Sequence, residues 1–151
     1  MVKFNISEEL KYGVPFTIYM EYILLNYNNF LGKHLKNENI TTREFLYLFN
    51  IFSNKNISQK QLAELMYVSE ANITKIVKKL IEKGYVSRRK DDNNKSRNLL
   101  ALTKKGMDIV LQMLKLTMEW ESKVSDNYDS GSIVEFKDIL YDLSEKSVDI
   151  G

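Results

Sequence analysis

The 151-residue chain contains no cysteine, which excludes disulfides, a thiol switch and thiolate-bound metal. Histidine is nearly absent too: His34 stands alone, so no histidine-rich metal cluster can form. Proline occurs once, at Pro15, and the six glycines are scattered, with no Walker or dinucleotide pattern among them. No Ser/His/Asp set and no metal triad can be assembled, and Asp91 and Asp92 lack an obvious catalytic partner. These absences argue against an enzyme, and no cofactor is expected. Long apolar runs are missing as well. The most apolar stretch, residues 16–25, is interrupted by Thr17 and Glu21 and is too short to span a bilayer. The opening MVKFNISEELK is too polar and acidic for a signal peptide. The expectation is a soluble cytoplasmic protein.

What is present is an uneven charge. The net +2 conceals +7 over residues 70–106 (eleven Lys/Arg against four Asp/Glu) and −6 over residues 107–151. A basic middle beside an acidic tail is what a local polyanion site requires, without making the whole surface adhesive. With 44% hydrophobic residues, the chain can also bury a core within one domain.

Helix signals punctuate the chain. Gly13-Val14-Pro15 starts a helix whose residues, from Phe16 to Leu35, are apolar on almost every face. Such a helix needs cover all round, which a chain of this size supplies most readily from a second copy. A polar gap at residues 36–40 precedes Thr41 and Glu44, which have capping-box spacing. The helix after them carries Phe45, Leu48, Phe49 and Phe52 on one expected inward face. Ile57 reads as a very short strand joining a later hairpin. Ser58 and Gln61 form a second capping box, opening a short helix to about Met66. Thr103 caps a long helix with two apolar stripes, one through Met107, Val110, Leu111, Leu114 and Met118, the other through Ile109, Met113, Leu116 and Trp120. Residues 126–131 break it, and Ser132 and Glu135 are expected to cap a last helix with Ile133, Phe136, Leu140 and Leu143 inward.

The central stretch, residues 58–103, carries the chemistry. Ser69 is placed as the cap of a helix from Glu70 to Lys83, held by an Ile73, Ile76, Val77, Leu80, Ile81 stripe. Its opposite face offers Ala71, Asn72, Lys75, Lys78 and Lys79. Small residues near the start permit close approach to base edges, Asn72 suits adenine, and Ala71 or Thr74 suits a thymine methyl. The lysines suit phosphates, which contribute affinity rather than sequence choice. Leu62, Ala63, Met66 and Val68 ahead of Ile73 and Val77 have the packing pattern of a helix-turn-helix. Tyr67 occupies the turn position where glycine is common, where a positive φ is costly for a bulky residue unless the turn is wider. Gly84 ends the helix. Residues 85–90 and 98–102 then read as antiparallel strands around the turn Asp91-Asp92-Asn93-Asn94. Arg88, Arg89, Lys90, Lys95 and Arg97 make the hairpin basic, suited to straddling a phosphate backbone and reaching a narrow minor groove.

LAELMYVSEANITKIVKKLIEKGYVSRR, followed by a turn and LLALTKKG, resembles the winged helix-turn-helix of multiple-antibiotic-resistance (MarR) type regulators, and the helix order extends the resemblance over nearly the whole chain. The resemblance implies a mainly α fold with a β-hairpin wing, as a single domain over residues 1–151. Its winged helix-turn-helix core would span about 41–103, between dimerisation helices at about 14–36 and 103–150. It also implies a homodimer repressing at a near-palindromic operator on double-stranded DNA and released by a small aromatic or phenolic ligand. The candidate DNA-contacting set is Ser58, Gln59, Lys60, Ser69, Ala71, Asn72, Thr74, Lys75, Lys78, Lys79, Arg88, Arg89, Lys90, Lys95 and Arg97. The family's Asp-x-Arg ahead of Leu-Thr is replaced here by Asn94-Lys95-Ser96, with Arg97 one place later, so Arg97 or Lys95 is left for the minor-groove role. Phe16, Tyr19, Met20, Phe45 and Phe49 are candidate walls of an aromatic ligand site. Two other readings stay open: a winged helix bound to DNA without ligand response, and one used for protein or RNA contacts.

Overall fold

The computed structural model describes residues 5–35 and 38–150. Residues 1–4 of the polar N-terminal stretch, residues 36–37 in the expected polar gap, and residue 151 lie outside the described residues. The chain forms two compact units, residues 1–116 and 117–151. In order, the elements are α1 (Phe16–His34), α2 (Thr42–Ser53), α3 (Gln59–Leu65), α4 (Glu70–Glu82), β1 (Val86–Lys90), β2 (Asn98–Leu102), α5 (Lys104–Val124) and α6 (Ser130–Val148), with a 3-10 turn at Lys11–Gly13 before them. This is the expected mainly α fold with a hairpin wing. Among the described residues, no helix is long and apolar enough to cross a membrane.

Local chemistry sets most boundaries. Pro15 is the residue that caps α1, one place ahead of the expected first turn, and its carbonyl accepts from Ile18 N–H at 3.0 Å. Both expected capping boxes form: Thr41 with Glu44 at the start of α2, and Ser58 with Gln61 at the start of α3. Ser69 caps α4 by accepting from Asn72 N–H. After α4, Gly84 takes a positive φ of 78°, the left-handed conformation that glycine adopts without a Cβ penalty. Thr103 Oγ1 accepts from Gly106 N–H at 3.0 Å and so caps α5.

Three expectations need correction. The cap of α6 is Asp129, three residues before Ser132, and its carboxylate accepts from the Ser132 amide and hydroxyl. Gly131 therefore sits inside the helix rather than in the break. Nothing in α6 is buried, so Phe136 and Leu143 are exposed within the single chain instead of inward. In α2 the inward face is rotated: Tyr47, Leu48 and Ile51 are buried, while Phe45 and Phe49 are half-buried and Phe52 is exposed. The phenylalanines instead form a ladder along the flank, with ring centroids 6.2 and 6.4 Å apart.

The core of the first unit gathers Leu31 of α1, Tyr47, Leu48 and Ile51 of α2, Leu62 and Ala63 of α3, Ile73, Val77 and Leu80 of α4, Tyr85, Leu100, and Ile109, Val110 and Met113 of α5. In α5, then, the Ile109–Met113 stripe is covered and so is Val110. Met107, Leu111 and Met118 of the other stripe remain exposed. In α1 only Leu31 is buried, and Phe16, Ile18, Met20, Tyr22, Ile23, Leu24 and Leu25 are exposed.

Candidate nucleic-acid interface

The helix-turn-helix is α3, the turn at residues 66–69, and α4, with α3 packed on α4. The turn closes through Tyr67 N–H to the Glu64 carbonyl and Val68 N–H to the Ala63 carbonyl. Met66 and Val68 pack against the core and turn Tyr67 outward, 80% exposed and at a positive φ of 50°. The turn is therefore not widened, and the chain carries a left-handed tyrosine where glycine would be relaxed.

Helix α4 divides as its sequence requires. Ile73, Val77 and Leu80 are buried, while Ala71, Asn72, Thr74, Lys75, Lys78 and Lys79 are exposed. Asn72 uses its backbone in the cap, and its side-chain amide is left open to solvent. Lys75 forms no ion pair among the described residues. Lys78 is loosely paired with Glu82 at 3.9 Å, with both side chains largely exposed, so the pair costs little to open.

Other candidates have work inside the fold. Ser58 is buried as the α3 cap and forms a β-bridge with Leu99. The Ile57 carbonyl accepts from Leu100 N–H at 2.9 Å, so the expected short strand exists as a bridge at residues 57–58. Gln59 Nε2 donates to Thr74 Oγ1 at 2.8 Å, tying α3 to α4, while Thr74 donates to the Glu70 carbonyl. Lys60 is exposed at the start of α3. Lys79 leans away from the open face, with its ammonium 3.0 Å from Glu44.

Glu44 joins α2 to α4 in a way sequence reasoning missed. Its carboxylate accepts from Lys83 Nζ at 2.8 and 2.9 Å, besides closing the capping box onto the Thr41 amide. The Glu44 and Lys83 side chains are only 9% and 11% exposed. Burial pushes the Glu44 pKa upward, but hydrogen bonds from Lys83, the Thr41 backbone and Lys79 outweigh it and hold the value at about 2. The junction continues into α5. Lys105 Nζ donates to the Lys83 carbonyl and lies 4.7 Å from the Tyr85 ring centroid. Burial first, and the charges of Glu38 and Glu44 after it, push the Tyr85 phenol upward. Gly106 is required here, since a Cβ would collide with the Tyr85 carbonyl oxygen.

The wing pairs β1 with β2 antiparallel, from Val86 opposite Leu102 to Lys90 opposite Asn98. Buried Val86, Leu99 and Leu100 anchor it. Its tip is built from side-chain turns: Asp91 accepts from the Asn93 amide, and Asn94 accepts from the amide and hydroxyl of Ser96. Arg88, Lys90 and Lys95 are exposed and, among the described residues, carry no ion pair. Arg89 is held by Asn56 Oδ1 at 3.0 Å. Arg97 folds back onto the helix-turn-helix, its Nη2 2.5 Å from Gln61 Oε1 and its Nη1 3.8 Å from Asp91. Between α3, the start of α4 and the wing lies an open groove of about 550 Å³ lined by Gln59, Lys60, Thr74, Ser96 and Arg97 among others.

The candidate ligand walls are only partly gathered. Phe45 and Phe49 lie together on α2, and Tyr19 donates its hydroxyl to the Lys11 carbonyl at 2.8 Å. Phe16 and Met20 are exposed, so the five do not close a cavity within one chain. Among the described residues, no group of three or more His, Cys, Asp or Glu could hold a metal ion.

Comparison with known proteins agrees with this geometry. Residues 40–96 match the sequence model of the MarR family. The HTH-type transcriptional regulator YybA of Bacillus subtilis is 32% identical over 74 residues, 49% of each chain, so the match spans about half the length of that relative. A crystal structure of MarR superposes with a TM-score of 0.81 at 24% identity, covering 97% of both chains. A mutant MarR from E. coli, complexed with operator DNA, superposes with a TM-score of 0.70 at 21% identity over 91% of this chain and 99% of that one.

Proposed function

We propose that the chain, whose residues 40–96 match the MarR family model, is a transcription regulator of that family and a homodimeric, sequence-specific DNA-binding repressor acting at an inverted-repeat operator. Members of this family are regulators and not enzymes, and the cytoplasm is the proposed place of action. The observation that carries the proposal is the open face of α4. Ala71, Asn72, Lys75 and Lys78 are presented to solvent beside a wing whose Arg88, Lys90 and Lys95 are also open, while the inward stripe holds the helix rigid. Asn72 is the side chain for direct base readout, and the lysines neutralise phosphates. The operator-bound E. coli relative has this fold, which supports the same use of the helix here.

Dimerisation is supported by the exposed apolar faces of α1 and α6, too extensive for helices left in water. Two recognition helices would then meet successive major grooves about 34–36 Å apart. Release by a small aromatic or phenolic effector is part of the proposal. Phe45 and Phe49 supply a stacking surface, and Phe16, Tyr19 and Met20 would complete it where a second copy covers α1.

Titration of a duplex pool across salt concentrations, read by fluorescence anisotropy, tests the DNA reading. Affinity should fall steeply with salt, and Lys75→Ala or Lys78→Ala should each flatten the slope by about one unit. Asn72→Ala should change sequence preference at an unchanged slope. Binding that ignores both salt and these substitutions would reject the reading. Repeating the titration with a panel of aromatic acids separates a ligand-responsive repressor from a constitutive or architectural binder.

A further inference from the structure

The wing carries two cations near its tip, Lys95 and Arg97, two residues apart, and the fold treats them differently. Arg97 is drawn inward. Its guanidinium donates to Gln61 Oε1 at 2.5 Å and lies 3.8 Å from the Asp91 carboxylate, which is only 15% exposed. Its backbone closes the base of the tip, with Arg97 N–H donating to the Asn94 carbonyl and its own carbonyl accepting from Asp91 N–H.

Gln61 is not a casual acceptor. It is the third residue of α3, and the same oxygen accepts from the amide of Ser58 at 3.0 Å and its hydroxyl at 2.9 Å. Ser58 in turn bridges to Leu99 of β2. One oxygen thus joins the cap of the first helix of the helix-turn-helix to the wing, and Arg97 is the wing's half of that joint. Lys95 sits between Asn94 and Ser96, whose side chains bond to each other. It is exposed, and no carboxylate among the described residues neutralises it.

We propose that Arg97 is a positioning residue that locks the wing against α3, and that Lys95 is the wing's phosphate- and groove-contacting side chain. This rests on the DNA-binding reading above. A guanidinium already shared between a carboxamide and a partly buried carboxylate gains less from a phosphate than a free ammonium projecting from the turn. The lock reduces the freedom that the wing would otherwise lose on binding DNA.

The test uses the full chain and a duplex selected on the wild-type protein, with amide hydrogen exchange measured on the free protein. Arg97→Gln should lose protection at the Asp91 and Arg97 positions without DNA, and should weaken DNA binding while leaving the salt slope unchanged. Gln61→Ala should do the same and be non-additive with Arg97→Gln, whereas Gln61→Glu, which keeps both the cap and the acceptor, should restore protection and affinity. Lys95→Gln should leave exchange unchanged and flatten the slope by about one unit. Full protection in Arg97→Gln together with a flattened slope would make Arg97 the phosphate reader and overturn the proposal. An unchanged slope in Lys95→Gln would overturn its second half. If the wild type enriches no sequence, the DNA reading fails on its own, and exchange in the free protein still decides the Arg97 lock.

Discussion

Helices α4 and α6 are built from similar parts and have opposite surroundings. Each opens on a side-chain cap, Ser69 or Asp129, and each carries an apolar stripe. The stripe of α4 disappears into the core at Ile73, Val77 and Leu80, leaving a polar face outward. The stripe of α6 has no buried residue along its length, and most of residues 16–25 on α1 are exposed too. One helix is therefore finished within its own chain, and the other needs a second surface. The difference fits the proposed roles: the finished helix keeps a polar face free for DNA, while the unfinished ones keep apolar faces for the proposed second copy.

The largest test of that contrast compares truncations in the two helices. Leu80→Ala removes a fully buried side chain and should cost about 2–5 kcal/mol in urea unfolding. Phe136→Ala, on the exposed face of α6, should instead move sedimentation toward monomer at micromolar concentration. A concentration-independent loss of stability in Phe136→Ala would show that α6 is finished within the chain after all. Gly106→Ala comes next. Its Cβ would meet the backbone oxygen of Tyr85, which also accepts from Thr103 N–H, so strands or helix must shift at a cost of about 3 kcal/mol. The thermal midpoint measures it.

Glu44→Gln should cost up to about 3 kcal/mol at neutral pH, from a carboxyl pKa lowered from 4.5 to about 2 in the fold. Because the folded pKa is depressed, this stabilisation is complete above about 4.5 and is lost as pH falls through about 2. Urea midpoints of wild type and variant should converge over that window; a gap persisting below it would place the effect in packing. The smallest effect runs the other way. Tyr67→Gly should stabilise by about 0.5–1 kcal/mol by relieving the left-handed tyrosine, since an exposed side chain gives up little burial.

Local signals make much of this legible in the sequence alone. The capping residues Thr41, Ser58, Ser69 and Thr103, the Gly84 stop and the inward stripe of α4 all follow from spacings of three or four residues. Asp129 and Ser132 are both good caps, and Gly131 looks like a breaker, so the start of α6 is ambiguous at that range. The inward face of α2 is misplaced by pattern because apolar and aromatic residues lie on more than one side of the helix, and only three-dimensional packing chooses Tyr47, Leu48 and Ile51 over the phenylalanines. The joints are invisible for a different reason. Glu44 and Lys83 lie 39 positions apart, and Gln61 and Arg97 lie 36 apart, so no periodicity links them. The same holds for Lys79, which reads as part of the open face and is diverted to Glu44 by an interaction between elements.

In the proposed dimer, two copies of α4 read DNA as a symmetric pair. Selection of bound duplexes from a random pool tests it most directly. The enriched duplexes should carry an inverted repeat whose half-sites lie about 10–10.5 base pairs apart, centre to centre. A single unrepeated half-site, or a pool with no enrichment, would contradict it.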